Sequence, residues 1–230
     1  MNHAFSLTQP VVPIAGSNSM FPVRRIYCVG RNYAEHVKEM GFDAREMPFF
    51  FCKPADAVVP VAPGTVGKIA YPPRTENFHH EIELVVAIGK SGSSIPVGEA
   101  INYVFGYAVG LDMTRRDLQF ALRDKGRPWE LGKAFDQSAP IAPIHALGET
   151  GALEVGAIWL KVNGQDRQKS DLSKLIWSVP EVISNLSEYF TLAPGDLIFT
   201  GTPEGVGKVQ KGAVLVGGIA GLGELSVEIC

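Results

Sequence analysis

The sequence predicts an α+β, β-rich fold with a mixed sheet and a few short helices. Strand-like apolar runs outnumber helical patterns along the chain, and the two do not alternate regularly, as they would around a parallel sheet. The 25 glycines and 16 prolines favour short strands and turns over long helices. No repeat or linker divides the 230 residues, so we expect a single domain over 21–230 behind an extended N-terminal arm, 1–20.

Strands are predicted where a short apolar run stops at turn residues. The clearest is 81–88 (EIELVVAI), which is rich in β-branched residues and stops at Gly89. A hairpin is expected around Asn163-Gly164, a dipeptide typical of a type I′ turn. The other predicted strands are 25–30, 49–52, 103–111, 197–200 and 222–229. The Pro- and Gly-rich residues 54–80 are interpreted as a loop.

Two of the predicted helices begin at a capping-box pattern. Asn32 with Glu35 predicts a helix over 33–40, and Ser178 with Glu181 predicts one that ends near residue 190.

A third helix is predicted to begin at Thr114, taken as its N-cap, and to end at Gly126. Its expected buried face is an apolar stripe made of Leu118, Ala121 and Leu122.

Composition excludes several classes of protein. With 46% hydrophobic residues and a net charge of −3, the chain is neither intrinsically disordered nor a nucleic-acid binder, which needs a basic surface. No run of about 18 apolar residues occurs, so no membrane partner is expected. The N-terminal segment lacks the basic start of a signal peptide, and three cysteines without a CxxC favour reduced thiols in the cytoplasm.

Three carboxylates point to a metal site. Glu81 and Glu83 lie two residues apart on a predicted strand, so their side chains share a face while the opposite face is apolar. Two close carboxylates repel, and a divalent cation such as Mg²⁺ removes that conflict. Asp112 directly follows another apolar strand, a position that often carries functional groups. The alternatives are two solvated glutamates and a capping role for Asp112.

Several histidines precede these carboxylates. His36 and Glu39 share one face of the predicted helix, and a glutamate can orient a histidine as a general base; the alternative is a surface pair. His79 and His80 are interpreted as structural residues or as neighbours of the site, because Mg²⁺ disfavours nitrogen ligands.

Basic residues suggest an anionic substrate. Lys133, in a weakly polar segment, and Lys53, after an apolar strand, could each stabilise a developing oxyanion or simply be solvated. The basic stretch 115–127 suits an anionic substrate or forms a solvated helix face. Residues 201–207 do not match a phosphate loop, and the motifs HExxH, GxSxG and GxGxxG after a strand are absent. Zinc-protease, serine-hydrolase and Rossmann sites are therefore not supported.

Six segments in order along the chain together resemble the fumarylacetoacetate hydrolase family. They are GRNY (30–33) with His36, FCKP (51–54), HEIEL (80–84), DMT (112–114), KAFD (133–136) and TGTPEGVG (200–207). The resemblance implies the mixed-sheet β-roll of that family's C-terminal domain and a homodimer. Within the family, residues 71–80 and 126–130 are most similar to the bacterial fumarylpyruvate hydrolases of gentisate breakdown.

The resemblance also implies roles for particular residues. The positions that match the ligands of one Mg²⁺ or Mn²⁺ ion per subunit are Glu81, Glu83 and Asp112. A catalytic group is implied in which His36 and Glu39 activate water and Lys133 binds the substrate oxyanion. The positions implied in substrate binding are Arg31, Lys53, Arg116, Gln119, Gly201 and Thr202. The residue that binds a distal carboxylate stays open among Arg31, Arg74 and Arg127.

The activity that the resemblance implies is metal-dependent hydrolysis of a carbon–carbon bond in a 2,4-diketo acid, a small anionic 2-oxo acid. Fumarylpyruvate, cleaved to fumarate and pyruvate, is the best match. The alternatives within the family are oxaloacetate decarboxylation and dienoate isomerisation or hydration. An alternative of another class is a catalytically idle paralogue that only binds.

Overall fold

The computed structural model describes residues 4–33 and 46–230. In chain order its strands are β1 Val11–Pro13, β2 Met20–Pro22, β3 Arg25–Gly30, β4 Phe49–Lys53, β5 Val58–Pro60, β6 Gly67–Ile69, β7 Phe78–His80, β8 Ile82–Ile88, β9 Val104–Leu111, β10 Thr114–Arg115, β11 Ala139–Ile141, β12 His145–Ala146, β13 Ala157–Val162, β14 Gln165–Asp171, β15 Asp196–Phe199, β16 Gly207–Lys208, β17 Val214–Ile219 and β18 Gly223–Ile229. The α-helices are α1 Arg116–Arg123, α2 Glu130–Lys133, α3 Leu147–Thr150 and α4 Val179–Tyr189. Short 3-10 helices span Ala55–Ala57, Val97–Tyr103 and Leu172–Lys174. Among these residues no helix has the length and apolar character needed to cross a membrane.

A mixed sheet of eight strands carries the candidate site. Its order is β4-β3-β15-β8-β9-β11-β5, with β12 beside β9. The pairs β15–β3 and β11–β5 are parallel, and the other pairs are antiparallel. All seven residues of β8 are buried, which is why this strand is a nearly continuous apolar run in the sequence. The predicted β-rich fold class with a mixed sheet is confirmed.

Two apolar clusters cover the two faces of β8. The predicted core face lies in the larger cluster and consists of Ile82, Leu84, Val86 and Ile88. The same cluster contains Leu160 and Leu215 from a second sheet, ordered β14-β13-β17-β18-β6. Val85 and Ala87 lie in the smaller cluster with Phe21 from the β1–β2 hairpin. The division between an arm and a catalytic domain near residue 20 stays a prediction.

The two clearest local signals of the sequence are confirmed. Asn163 (φ 53°) and Gly164 (φ 78°) both have the positive φ that a type I′ turn requires, and they join β13 to β14. Helix α4 begins with the expected capping box between Ser178 and Glu181.

Other local predictions are wrong or lie outside the described residues. The segment 54–80 is not only loop: it contains β5, β6 and β7, which pair with β11, β18 and the short strands β10 and β16. Strand β17 and helix α2 have no counterpart among the predicted elements. The predicted helix over 33–40 falls mostly outside the described residues, and Tyr33 forms a bridge to Leu175. The side chain of Asn32 bonds to Trp177 and Thr200.

The helix predicted after Thr114 differs in its start and in its buried face. Thr114 lies in the short strand β10, and α1 begins two residues later without a side-chain cap. The buried residues of α1 are Arg116 and Gln119, while Ala121 of the predicted apolar stripe is exposed. The reason is that Thr114, Arg116 and Gln119 have polar partners in the site.

Candidate active site

The β8–β9 pair brings three acidic residues together. Glu81 precedes β8, Glu83 lies within it, and Asp112 follows β9. The strands are antiparallel, with Ile82 opposite Leu111, and Asp112 N donates to Glu81 O at 2.9 Å. One carboxylate oxygen from each acid lies within 4.8 Å of the others. All three residues are buried, at 5%, 2% and 1% exposure, so water does not screen their charges.

Lys133 joins two of the three carboxylates. Its Nζ lies 2.8 Å from Glu81 Oε2, 2.6 Å from Asp112 Oδ2 and 2.6 Å from Thr114 Oγ1. Burial alone would lower the pKa of Lys133, but the charges of Asp112 and Glu81 outweigh it and raise the pKa. The ammonium is therefore charged at neutral pH. Its surroundings are strongly polar, in contrast to the weakly polar setting expected from the sequence.

Two further cations complete the cluster. Lys53 Nζ lies 2.8 Å from Asp112 Oδ1 in ion-pair contact, outside hydrogen-bond geometry, and donates to Met113 O and Lys133 O. The Arg116 guanidinium donates to Glu81 Oε1 through Nη2 and to Gln119 Oε1, at 2.6 Å, through Nη1. Three carboxylates and three cations give the cluster a formal charge of zero.

Glu83 has the weakest compensation of the three acids. Its Oε2 accepts a 2.8 Å bond from Gly201 N, and no described Lys or Arg lies within ion-pair distance of it. Burial and the charges of Asp112 and Glu81 raise the pKa of Glu83 well above its usual range. A buried, mutually repelling set of three carboxylate oxygens is the donor set that a hard divalent cation prefers. The residues present therefore fit Mg²⁺ or Mn²⁺.

A cleft opens onto this cluster. Its lining residues are Val29, Gly30, Arg31, Phe51, Glu81, Glu83, Asp112, Arg116, Gln119, Trp129, Lys133 and Thr202. The structure thus brings together the three predicted metal ligands and Lys133. It also brings four predicted substrate-binding residues to the cleft wall, Arg31, Arg116, Gln119 and Thr202.

The other two residues predicted to bind substrate are not in the cleft wall. Lys53 lies behind Asp112, where its ammonium contacts protein oxygens, and Gly201 contacts Glu83 through its N–H. Gly201 has φ +99°, and a Cβ there would lie 2.7 Å from Asn32 Cβ, so this position requires glycine. The predicted alternatives Arg74 and Arg127 do not line the cleft, whereas Arg31 does.

His79 and His80 lie behind the carboxylates. His79 Nε2 is 2.9 Å from Asn77 Oδ1, and Arg116 Nε lies 3.4 Å from its Nδ1. Burial, with a contribution from Arg116, lowers the pKa of His79 to about 4. Burial also lowers the pKa of His80. Both rings therefore act as neutral supports, in agreement with their interpretation as structural residues.

Some parts of the site lie beyond sequence reasoning or beyond the described residues. The predicted dyad of His36 and Glu39 lies outside the described residues, and its role stays a prediction. Sequence analysis missed Trp129 in the cleft wall and the contact of Thr114 with Lys133. The signals for Thr114 were its place two residues after Asp112 and within the DMT segment of the family resemblance, but neither indicated a contact with Lys133.

Comparison with known proteins gives consistent likenesses. The family model "Fumarylacetoacetate (FAA) hydrolase C-terminal" matches residues 25–230. A fumarylpyruvate hydrolase from Ralstonia sp is 47% identical over 184 residues, which cover 80% of this chain and 93% of that protein. The mitochondrial oxaloacetate tautomerase FAHD1 of Mus musculus is 42% identical over 209 residues, or 90% of this chain and 91% of that one. The crystal structure of fumarylpyruvate hydrolase from Pseudomonas aeruginosa in complex with Mn²⁺ and pyruvate has a TM-score of 0.98 and 61% identity, and 99% of each chain is covered.

Proposed function

The chain belongs to the fumarylacetoacetate hydrolase family, and from that premise we propose that it cleaves a 2,4-diketo acid, fumarylpyruvate, to fumarate and pyruvate with a divalent cation. The predicted family, the fold class and the enzyme class, a hydrolase acting on carbon–carbon bonds, are confirmed by the likenesses. The choice of substrate rests on the fumarylpyruvate hydrolases of Ralstonia sp and Pseudomonas aeruginosa, whose sequences are 47% and 61% identical to this one.

The observation that carries the proposal is the buried carboxylate cluster with Lys133 at the floor of the cleft. The three carboxylates together with Lys133, Lys53 and Arg116 have a formal charge of zero, so a divalent cation gives this cluster a net charge of +2. That charge complements a dianion, and fumarylpyruvate carries two carboxylates. A divalent cation held by Glu81, Glu83 and Asp112 would supply Lewis-acid polarisation of the substrate's carboxylate and 2-oxo group.

The residues of the cleft would then act on the bound dianion. Arg116, whose guanidinium already bonds Glu81 and Gln119, presents positive charge to the substrate from the cleft wall. Lys133 stabilises negative charge that develops on a substrate oxygen. We place His36, oriented by Glu39, as the base that takes a proton from water, on the resemblance alone. The water oxygen bonds to the distal carbonyl carbon, the carbon–carbon bond breaks, and the pyruvyl carbon receives a proton.

Turnover of fumarylpyruvate tests this proposal directly. Purified protein should consume fumarylpyruvate and release pyruvate with Mg²⁺ or Mn²⁺, and EDTA should abolish the reaction. His36→Ala should lower kcat by about 10²–10⁴-fold, whereas His145→Ala, a histidine of β12 outside the cleft, should leave it unchanged. Absence of fumarylpyruvate turnover in the metal-loaded protein would refute the substrate assignment.

A second candidate is conversion of oxaloacetate, by tautomerisation or by the predicted decarboxylation. The likeness to the mouse oxaloacetate tautomerase favours it, and a 2-oxo acid needs the same carboxylates and Lys133 but no attacking water. Turnover of oxaloacetate that survives His36→Ala, with none of fumarylpyruvate, would select this reaction. Activity on a dienoate alone would select the isomerase or hydratase alternative.

The idle paralogue has the least support. The likenesses to fumarylpyruvate hydrolases indicate an enzyme, and the charged residues predicted for the site line the cleft, which a structural remnant has no reason to keep. The predicted homodimer and the part in gentisate breakdown remain proposals from the resemblance, and the cytoplasmic location remains a proposal from the cysteine content.

A further inference from the structure

Gln168 lies in β14 of the second sheet, yet its side chain reaches the candidate active site. It is 1% exposed and uses its whole amide. Oε1 contacts Ile82 N at 3.1 Å and His80 Nδ1 at 3.0 Å. Nε2 contacts Thr202 Oγ1 and Pro203 O, each at 2.8 Å. The residue thus touches the start of β8 and the 201–203 segment at once.

The orientation of the Gln168 amide follows from two partners, one that can only donate a hydrogen bond and one that can only accept one. The backbone N–H of Ile82 can only donate, and the carbonyl of Pro203 can only accept, so Oε1 faces Ile82 and Nε2 faces Pro203. Thr202 Oγ1 must then accept from Nε2 and donate its own proton to Ile82 O, which lies 2.8 Å away. His80 must donate from Nδ1.

These bonds fasten the 201–203 segment to the backbone of Ile82, between two of the proposed metal ligands. Gly201, the first residue of that segment, donates to Glu83 Oε2 at 2.8 Å. Thr202, the second, lines the cleft. The hydroxyl proton of Thr202 is engaged with Ile82 O, so the side chain has no proton to offer a substrate. The threonine hydroxyl therefore serves to hold the segment in place.

We propose that Gln168 is a positioning residue of the active site: by holding Thr202 and Pro203 against Ile82, it keeps Gly201 N on Glu83 and so sets the affinity for the cation and the 2-oxo acid. This inference rests on the proposed function for its substrate, whereas its cation part rests on the carboxylate cluster alone. The residue touches neither the substrate nor the cation, so its effect is on binding more than on the chemical step.

Gln168→Glu is the informative variant, because a glutamate keeps the acceptor for Ile82 N but has at most one proton to donate where glutamine has two. At least one bond to the 201–203 segment is lost. We expect the Mn²⁺ dissociation constant, measured by titration calorimetry without substrate, to rise about five- to tenfold, the effect of one hydrogen bond. KM for fumarylpyruvate should rise similarly, and kcat should change less than KM.

Gln165→Glu is the matched control, since it makes the same chemical change at an exposed position of the same strand. Its Mn²⁺ affinity and KM should equal those of the wild type.

A double-mutant comparison tests whether Gln168 acts through Thr202. In a Thr202→Val background, Gln168→Glu should raise the Mn²⁺ dissociation constant by a smaller factor than it does alone. Should Gln168→Glu not fold, Thr202→Val must still weaken Mn²⁺ binding and Thr202→Ser, which keeps the hydroxyl, must not.

The outcomes separate this inference from the proposed function. If Gln168→Glu weakens Mn²⁺ binding in a protein that does not turn over fumarylpyruvate, the positioning role stands and the substrate assignment falls. If the wild type is active and Gln168→Glu keeps Mn²⁺ affinity and KM within about twofold, less than one lost hydrogen bond, the positioning role is overturned alone. Multiplicative effects of Gln168→Glu and Thr202→Val would likewise overturn it.

Discussion

Replacement of Lys133 by methionine should destabilise the metal-free protein strongly. The ammonium makes three contacts of 2.6–2.8 Å, two of them to the buried carboxylates of Glu81 and Asp112. Removing one partner from a buried ion pair costs about 3–5 kcal/mol, because the other charge stays buried without compensation. For a chain of 230 residues, 1 kcal/mol corresponds to about 2–4 °C in Tm, so Tm should fall by roughly 6–20 °C.

A divalent cation should recover much of this loss. In Lys133→Met the carboxylates have lost one positive charge and should bind Mn²⁺ more tightly than in the wild type, and at a given saturating concentration each tenfold decrease in Kd adds about 1.4 kcal/mol to the stability of the variant. The difference in Tm between Lys133→Met and wild type should therefore be smaller with saturating Mn²⁺ than with EDTA. Turnover should stay low in both conditions, because the cation does not replace the ammonium at the substrate oxygen.

Thermal denaturation with EDTA and with Mn²⁺ measures both effects. Lys161→Met is the control, since Lys161 makes an exposed 3.4 Å ion pair with Asp166 and a 5.8 Å contact with the Trp159 ring, each worth less than about 1 kcal/mol. The reasoning would be refuted by a metal-free Lys133→Met protein that melts within about 2 °C of wild type. It would also be refuted if Mn²⁺ left the difference between the two proteins unchanged.

Three further predictions concern neighbouring parts of the fold. Burial and the adjacent carboxylates raise the pKa of Glu83, so above the usual pKa of 4.5 the metal-free folded protein keeps a proton that the unfolded chain releases. Tm of the metal-free protein should therefore fall as pH rises from 4.5 through the raised pKa of the folded state. Glu83→Gln should remove this dependence of Tm on pH and also the rise in Tm that Mn²⁺ causes in the wild type. Asp196→Asn should cost about 1.5–3 kcal/mol in a denaturant titration, because the hydrogen bonds from Arg24 and Arg25 to a buried carboxylate are lost or weakened, with KM unchanged. Gly205→Ala should cost more than about 2 kcal/mol, since its φ is +88° and a Cβ would collide with a backbone oxygen; Gly212→Ala, at φ +82° in open space, should cost only about 1 kcal/mol.

The carboxylate cluster was predictable because it depends on two local regularities. Alternation along a strand puts Glu81 and Glu83 on one face of β8, whichever strand pairs with it. Asp112 joins them because β9 is the next strand of the chain, and consecutive strands usually lie side by side.

The short strands between 54 and 80 could not be predicted in the same way. Each is three residues long, and β5 and β6 pair with β11 and β18 far along the chain. A run of three residues with prolines and glycines nearby has no periodicity of its own to detect. Such a run becomes a strand because its backbone pairs with a strand distant in the chain, and that partner is in place only once the sheets have formed.

The helix α1 shows why local rules failed where they did. Its sequence places Leu118 and Ala121 on a stripe that should face the core, and burying an aliphatic side chain is worth about 1.5–3 kcal/mol. The fold instead buries Arg116 and Gln119. Glu81, buried just before β8, has Lys133 on one carboxylate oxygen and Arg116 on the other, and loss of a cationic partner from a buried carboxylate costs several kcal/mol. The ion pair between Arg116 and Glu81 therefore determines which face of α1 is buried. Local rules could not predict this, because Glu81 lies 35 residues earlier in the chain.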